Sequence, residues 1–370
     1  MDKKIVVAGH ICVDITPVFP GGKIRSLSGL LIPGKLIHMK GAAVHTGGVV
    51  ANTGLAMKKL GADVRLTGKL GDDAFGSMVK EILKKYDADQ DVLTDASDST
   101  SYSIVLAPPG IDRIFLHDPG ANDSFCADDI PDRLLEGAAL FHFGYPPIMR
   151  RMYEEDGAEL VRLLSRVREK GAAVSLDLAA VDPESDAGKA DWGKILKRVL
   201  PYVDFFVPSA EELCFMLDRP RYEEWTRRAA GRDMTEILRV EEDIRPLARQ
   251  AMEQGARILL LKCGARGMYY CTSSEEVLRQ IPKAAGLDIN KWQSREGFQK
   301  SFTPAQVRSG AGAGDSSIAA FLYACLKGYP VERCVELAAA EGASCVEEFD
   351  ALSGVRTLEE LEERIAEGWQ

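Results

Sequence analysis

Residues 308–317 read RSGAGAGDSS, a run of small residues that brings Asp315 to the start of an apolar helix predicted over 316–326. Glycine lets the backbone adopt a positive φ and approach a ligand closely, while the free N–H groups and the dipole of a helix N-terminus favour negative charge. Two interpretations follow: the loop binds an anion, or Asp315 merely caps the helix. The loop alone does not distinguish between them.

A second glycine motif lies near the N-terminus, where residues 45–54 read HTGGVVANTG and lead into a small-residue helix. Further landmarks follow along the chain: GHICVD at 9–14, PGAN at 119–122, Asp177, PSAEE at 208–212 and KCGARG at 262–267. In this order they resemble the ribokinase-like (PfkB-type) carbohydrate kinases over nearly the whole chain. Residues 45–54 resemble the first signature of that family, and residues 312–315 resemble the second.

Short apolar runs alternate with helical patterns, which is typical of an α/β protein with a parallel sheet covered on both faces. Strands are predicted at 4–8, 63–67, 139–143, 172–176, 204–207, 258–262 and 268–271, and helices at 48–60, 74–86, 153–170, 192–200, 210–217, 241–254, 316–327, 331–346 and 357–367. The resemblance implies one ribokinase-like domain over 1–370, with a doubly wound, mainly parallel sheet flanked by helices. It also implies a small β-sheet lid from about 12–46 and 99–122.

Composition limits the alternatives. The chain has 370 residues, 46% of them hydrophobic, and a formal net charge of −10, so no overall basic field would attract nucleic acid or an anionic membrane. The N-terminus does not read as a signal peptide and no apolar run reaches membrane-spanning length, so we expect a cytoplasmic protein. Eight cysteines without a CxxC pair and five scattered histidines predict reduced thiols and no structural zinc.

The resemblance implies ATP-dependent phosphorylation of a hydroxyl on a sugar or sugar-like small molecule, with Mg²⁺ as the second cofactor. Such a transfer needs an aligned nucleophile and compensation of charge on the phosphoryl group more than it needs covalent catalysis. By resemblance, Asp315 is the base that accepts the hydroxyl proton. The backbone N–H groups of Ala311, Gly312, Ala313 and Gly314 would form the anion hole.

Substrate contacts also carry over by resemblance. Asp14 lies where the family places an acid that grips sugar hydroxyls, and a carboxylate can accept two hydrogen bonds at once. Gly47, Gly48 and Asn52 match the sugar-site signature. The alternative for Asp14 is an ordinary turn residue at the end of a strand.

On the nucleotide side, Glu212 matches the acid of a family motif that organises Mg²⁺ through water, and Lys262, Gly264 and Gly267 match a strand and turn beside the nucleotide. Ala179, two residues after Asp177, lies where the family often has asparagine, and two further positions depart from the family. Ser209 stands where asparagine is usual, and Ser309 replaces an aspartate that helps hold a monovalent cation in cation-activated members. Potassium dependence is therefore not expected to carry over to this chain.

Two stretches look like insertions, at 219–239 and 273–303. The first is rich in arginine and contains Trp225, and the second is polar and contains Trp292. Both are open to two interpretations. They are solvated surface, or the first extends a helix on the nucleotide side and the second forms a flap near the purine.

Two alternative functions remain. A nucleoside kinase of the same fold would need an aromatic sandwich for the base, to which Tyr102, Phe115, Phe143 and Tyr145 are candidates. A non-catalytic sugar-sensing protein would have lost the chemistry, and the retained Asp315 argues against it. No GxxxxGK[ST] loop is present. The expected partners are a small substrate and ATP, with no nucleic acid and no membrane, and the lid is a candidate surface for a homodimer.

Overall fold

An eight-stranded sheet forms the centre of the computed structural model, which describes residues 3–21, 31–109 and 114–370. The strands of the protein are β1 Ile5–Gly9, β2 Cys12–Pro17, β3 Ala42–Gly47, β4 Val64–Thr67, β5 Lys69–Gly71, β6 Leu93–Asp95, β7 Tyr102–Leu106, β8 Ile114–Asp118, β9 Leu140–Gly144, β10 Ala173–Leu176, β11 Phe205–Phe206, β12 Ile258–Lys262, β13 Gly267–Thr272 and β14 Glu296–Lys300. In the large sheet the strand order is β14-β13-β12-β11-β10-β9-β1-β4. All neighbours from β12 to β4 are parallel, whereas β13 is antiparallel to both β12 and β14.

Strand β1 shows why the sheet is covered on both faces. Ile5 and Val7 pack into one hydrophobic layer, and Val6 and Ala8 pack into the other. Successive side chains of a strand point to opposite faces, so an unbroken apolar run needs a layer of helices on each side.

The helices supply these two layers. Their bounds are α1 Val49–Lys59, α2 Ala74–Lys84, α3 Asp132–Leu135, α4 Arg150–Glu169, α5 Asp186–Lys189, α6 Trp192–Val199, α7 Ala210–Leu217, α8 Arg219–Ala229, α9 Arg245–Glu253, α10 Glu275–Leu278, α11 Ile289–Trp292, α12 Ala313–Leu326, α13 Val331–Cys345 and α14 Leu358–Ala366. Helices α1, α2 and α12–α14 cover one face, while α4 and α6–α9 cover the other. This is the doubly wound α/β arrangement expected from the sequence.

A second sheet of four strands has the order β3-β2-β7-β8. Strand β2 is antiparallel to β3 and parallel to β7, and β7 is antiparallel to β8. These strands fall within the ranges 12–46 and 99–122, apart from Gly47 at the end of β3; residues 22–30 and 110–113 of those ranges lie outside the described residues. The two outer strands carry many exposed side chains, whereas β2 meets the core through Val13.

Both insertion-like stretches differ from a simple solvated surface. Trp225 on α8 is fully buried, and its indole N–H donates a 3.1 Å hydrogen bond to Asp243. Trp292 is 1% exposed and belongs to the core. Both segments are polar overall, but each contains a buried tryptophan. The interpretation as solvated surface is therefore wrong for Trp225 and Trp292.

Candidate active site

Helix α12 begins at the glycine loop. Gly312 is its N-cap, with φ 76°, and a Cβ at this position would lie 2.2 Å from the Cβ of Ala351. A side chain there is excluded both by the backbone conformation and by the close approach. The first N–H groups of a helix have no partner within the helix, so the N-terminus at Ala313 and Gly314 can receive an anion.

Asp315 lies in the first turn of α12 and is 6% exposed. Three uncharged donors hold its carboxylate. The Thr53 hydroxyl donates to Oδ1 at 3.0 Å, the Tyr145 hydroxyl donates to Oδ1 at 2.7 Å, and the Asn52 amide donates to Oδ2 at 3.1 Å. The two oxygens therefore differ, because Oδ1 accepts two of these bonds and Oδ2 accepts one. A carboxylate oxygen has two lone-pair sites, so Oδ2 keeps one available for a further proton donor.

Tyr145 has an unusual backbone conformation for a tyrosine. It follows β9 with φ 68° and ψ 37°, in the left-handed region that costs a non-glycine residue free energy. Burial, together with the charge of Asp315, raises the pKa of the Tyr145 phenol well above its ordinary value. The phenol therefore remains a donor to Asp315 at neutral pH.

Asp14 lies on β2, next to the first glycine motif. The Cys12 thiol donates to Asp14 Oδ1 at 3.4 Å, and a Cβ at Gly47 would lie 2.2 Å from Asp14 Oδ2. Burial raises the pKa of Asp14, and the hydrogen bond from Cys12 opposes that rise. Gly47 thus leaves room for a carboxylate that any larger residue would displace.

The first motif connects this carboxylate to Asp315. Gly48 caps α1 with φ 84°, and a Cβ there would lie 2.5 Å from the carbonyl oxygen of His10. One turn later, Asn52 reaches Asp315. Asn52, expected in the sugar site, therefore also contacts the predicted base, and this contact joins residues 263 positions apart in the chain.

Lys262 and Asp177 form an ion pair at the ends of β12 and β10. The Lys262 ammonium lies 2.9 Å and 3.1 Å from the two oxygens of Asp177, and 14% and 2% of the two side chains are exposed. Burial raises the pKa of Asp177, and Lys262 opposes that rise. Burial also opposes the charge on Lys262, but Asp177 and Glu212 raise its pKa overall. Lys262 therefore stays charged at neutral pH.

Glu212 and Ser209 share a reciprocal cap at the start of α7. The Ser209 hydroxyl accepts from the Glu212 N–H at 3.2 Å, and Glu212 Oε2 accepts from the Ser209 N–H at 2.9 Å. This capping box gives Ser209 a structural role at the start of α7. It engages one oxygen of the carboxylate and leaves Oε1 for another ligand.

The glycines of the 262–267 turn have a packing role. Gly264, with φ 56°, would place a Cβ 2.5 Å from the Thr235 hydroxyl, and Gly267, with φ 123°, would place one 2.0 Å from the carbonyl oxygen of Gln299. Thr235 and Gln299 belong to the two insertion-like stretches. Both stretches therefore pack against the turn predicted to lie beside the nucleotide.

The aromatic residues proposed for a nucleoside sandwich are scattered. Phe143, one of the candidates, is fully buried and packs against Phe125 and Phe141, so it is a core residue. The Tyr145 hydroxyl binds Asp315, and Tyr102 packs against Phe75. The sequence did not indicate the contact of Tyr145 with Asp315. The one signal for Tyr145 was its position after a predicted strand, because α/β proteins bind ligands at the carboxyl ends of their strands.

Residues 3–21, 31–109 and 114–370 contain neither a metal-binding cluster nor a membrane-spanning helix. No group of three histidine, cysteine, aspartate or glutamate side chains in these ranges is arranged to hold a metal ion. No helix there is long and apolar enough to cross a membrane. All eight cysteines are free thiols.

Comparison with protein families gives a match over nearly the whole chain. The profile of the pfkB family carbohydrate kinases matches residues 2–358. An uncharacterized sugar kinase of Archaeoglobus fulgidus is 23% identical over 301 residues, which cover 81% of this chain and 98% of the relative. A probable fructokinase-2 of Arabidopsis thaliana is 28% identical over 180 residues, which cover 48% of this chain and 50% of that relative.

Solved structures share the fold. A fructokinase from Xylella fastidiosa with bound ATP aligns with a TM-score of 0.71 at 20% identity, covering 99% of both chains. The ribokinase of Arabidopsis thaliana complexed with ribose and ATP aligns with a TM-score of 0.70 at 20% identity, covering 98% of both. A nucleoside kinase of Methanocaldococcus jannaschii aligns at 0.65 and 18% identity, covering 99% of this chain and 98% of its own.

Proposed function

The chain belongs to the pfkB family of carbohydrate kinases, and from this premise we propose that it transfers the γ-phosphoryl group of ATP to a hydroxyl of a sugar or sugar-like small molecule, with Asp315 as base. The observation that carries the proposal is the position of Asp315 in the first turn of α12, beside the glycine loop and with one oxygen less engaged than the other.

The chemistry follows from this position. The acceptor hydroxyl gives its proton to Oδ2 of Asp315 as its oxygen forms a bond to the γ-phosphorus. The bond from that phosphorus to the bridging oxygen breaks, and ADP leaves with the electron pair. The N–H groups of Gly312, Ala313 and Gly314 donate to the phosphoryl oxygens, which stabilises charge that develops during transfer. The Ala311 N–H, expected to join them, instead donates a 3.1 Å hydrogen bond to the Ser309 hydroxyl.

Substrate binding is assigned to the other side of Asp315. Asp14 would accept hydrogen bonds from sugar hydroxyls, and Gly47 and Gly48 allow the ligand and the backbone to approach closely. Asn52 would orient both Asp315 and the acceptor. The four-stranded sheet would act as the lid that excludes water from this region.

The nucleotide-side residues fit ATP and Mg²⁺ in part. Lys262 offers a fixed positive charge, and Gly264 and Gly267 shape the turn beside it. Glu212 has one carboxylate oxygen outside its capping box, which fits an indirect contact through water. When bound, Mg²⁺ would offset charge on the phosphates.

The lid is also the candidate surface for a homodimer. Its sheet and the adjoining segment expose apolar side chains that a second copy would cover: Val18, Leu31, Ile32, Leu36, Met39, Val44, Ile114, Phe115 and Leu116. The molecular mass in solution tests this pairing. The cytoplasmic location stays a prediction.

A ligand screen tests the proposed function. The protein is heated with a non-hydrolysable ATP analogue and with sugars, sugar acids or nucleosides, because a ligand that binds the folded state raises the melting temperature. Compounds that respond are then assayed for ATP-dependent phosphorylation. We expect a sugar or sugar acid to respond and to be phosphorylated. A response to nucleosides alone would support the nucleoside kinase, and binding without ATP turnover would support the sensor.

A further inference from the structure

Resting on the proposed kinase reaction, we propose that the Lys262 ammonium contacts the phosphoryl group during transfer, which makes Lys262 a catalytic residue, and that Asp177 positions it. The ligand is the γ-phosphoryl group of a nucleoside triphosphate. The resemblance places Lys262 only beside the nucleotide, whereas the proposal assigns its ammonium a contact with the group that is transferred.

The position of the ammonium carries the inference. Lys262 is the last residue of β12, at the carboxyl edge of the parallel strands, and its ammonium is held by both oxygens of Asp177. A Cβ at Gly314 would lie 3.6 Å from Cδ and 3.7 Å from Nζ of Lys262. The ammonium therefore lies beside the N-terminus of α12, where the backbone N–H groups and the helix dipole already favour an anion.

The local charges give this ammonium a role beyond its ion pair. Three carboxylates act on it, from Asp177 after β10, Glu212 on α7 and Asp315 on α12. His142 on β9 stays neutral, because burial, reinforced by the charge of Lys262, lowers its pKa to about 3. The carboxylates of Asp177, Glu212 and Asp315 would repel a bound triphosphate. The positive charge of Lys262 offsets part of this repulsion.

Lys262 transfers no proton in this reaction. Its ammonium donates a hydrogen bond to a phosphoryl oxygen while the bond to the acceptor forms and the bond to the bridging oxygen breaks. Asp177 keeps the ammonium charged and fixes its direction. The contribution is electrostatic, so it is largest for the triphosphate and for the transition state and smallest for ADP.

The first experiment separates catalysis from stability. We expect Lys262→Met to lower kcat about 10²-fold or more, with the substrate KM little changed, as when one preorganised donor is removed from a reacting oxyanion. Lys69→Met is the matched control, since Lys69 is an equally buried lysine, 12% exposed, paired with Asp95 and Asp129. Lys69→Met should retain wild-type turnover per folded molecule.

A double variant keeps the proposal testable if Lys262→Met leaves Asp177 unpaired and unfolds the chain. Lys262→Met combined with Asp177→Leu removes both charges, and such replacements of buried ion pairs are often tolerated. If the pair only stabilises the fold, the double variant recovers turnover and the proposal is wrong. If Lys262 acts on the phosphoryl group, the folded double variant stays about 10²-fold slower.

Calorimetric titration gives a readout without turnover. Wild type should prefer a non-hydrolysable ATP analogue over ADP, and Lys262→Met should lose that preference while its ADP affinity stays within a few-fold. Equal losses for both nucleotides would overturn the proposed contact. If wild type phosphorylates nothing, the proposed function fails; if wild type is active and Lys262→Met is equally active, only this inference fails.

The pH profile tests Asp177 as a positioning residue. Asp177→Asn removes the carboxylate that most offsets the burial of Lys262, so the pKa of Lys262 falls and the alkaline limb of kcat/KM for ATP should move to lower pH. In this variant the carboxylates of Glu212 and Asp315 still stabilise part of the positive charge on Lys262. A purely structural role would reduce the folded fraction and leave the limb where it is, which would refute the assignment to Asp177.

Discussion

The Thr53 hydroxyl donates a 3.0 Å hydrogen bond to Asp315 across 262 positions of sequence. The bond joins α1, which follows the first glycine motif, to α12, which follows the second. The two signatures are therefore parts of one site, and the carboxylate is oriented by a helix far from it in the chain.

Asp315→Asn should lower kcat about 10²-fold or more and leave ATP affinity within a few-fold, because it removes a positioned base and keeps the side-chain shape. Steady-state kinetics with the substrate from the screen, together with ATP-analogue titration, measure both effects. Asp132→Asn, at an exposed carboxylate on α3, is the control. Turnover close to wild type would show that another group accepts the proton.

Asp14→Ala should raise the substrate KM much more than the ATP KM, since the acid lies on the proposed sugar side. Gly47→Ala should act in the same direction, because its Cβ would meet Asp14 Oδ2 at 2.2 Å and displace the carboxylate. Gly193→Ala, whose Cβ would have ordinary contact with Asp191 at 3.5 Å, should change neither KM. Equal effects of Asp14→Ala on both KM values would place this residue outside the sugar site.

Tyr145→Phe should lower kcat about 10-fold with little effect on the ATP KM. One hydrogen bond to a charged group is worth about 1.5–3 kcal/mol, and the low end of that range applies because Thr53 still holds Oδ1. Tyr153→Phe, at a tyrosine that packs against Trp192, is the control. A variant with unchanged kcat would mean that the Tyr145 hydroxyl does not orient the base.

Acid should destabilise the protein partly through His142. This residue is fully buried, its Nδ1 lies 2.9 Å from the Ser175 hydroxyl, and burial lowers its pKa to about 3. The unfolded chain takes up a proton near pH 6.5 and the folded chain does not, so stability is lost as pH falls from about 7 towards 3. The loss between pH 7.5 and 5 is about 2 kcal/mol from this one group.

His142→Asn tests this linkage by urea unfolding at several pH values. The variant should be less stable at pH 7.5, yet its unfolding free energy should fall by about 2 kcal/mol less between pH 7.5 and 5. His10, whose pKa burial also lowers, remains in both proteins and contributes equally. Parallel curves for the two proteins would rule out His142 as a source of the acid sensitivity.

Potassium should have little effect on activity. Ser309 carries no charge, and its hydroxyl accepts a 3.1 Å hydrogen bond from the Ala311 N–H within the loop. A cation beside the phosphates needs negative charge or several oxygen ligands to offset its lost hydration. Exchange of potassium for tetramethylammonium at constant ionic strength should leave kcat unchanged. Saturable activation selective for potassium would show that other oxygens rebuild such a site.

The strands and helices could be predicted because their signals are local. All seven strand predictions and the helices at 210–217 and 331–346 correspond to elements of the structure. The direction of β13 could not be predicted, because an apolar run reads the same in parallel and antiparallel neighbours. The fold class could be predicted from the alternation of strands and helices and from the glycine motifs. The antiparallel arrangement of β13 and β14 at the edge of the sheet could not.

The candidate site was predicted less completely. Asp315 and the glycine loop were identified from the loop sequence together with the family resemblance. The contact of Tyr145 with Asp315 joins residues 170 positions apart and has no local signal. Lys262 and Asp177 were both noted, yet their ion pair depends on the spatial order of β12 and β10. The capping box of Ser209 and Glu212 did have a local signal, which is serine followed three residues later by glutamate. Ser209 was instead interpreted only as a departure from the asparagine of the family motif.

The packing of Trp292 limits how this chain can be shortened. Trp292, from the 273–303 stretch, packs edge-on against Phe205 and Phe321, with ring centroids 6.4 Å and 6.0 Å away. Phe321 lies on α12, the helix that carries Asp315, so the indole acts as a buttress for that helix. Deleting the stretch to obtain a smaller enzyme would remove this support, and a miniaturised version would first need another bulky side chain to fill the indole volume.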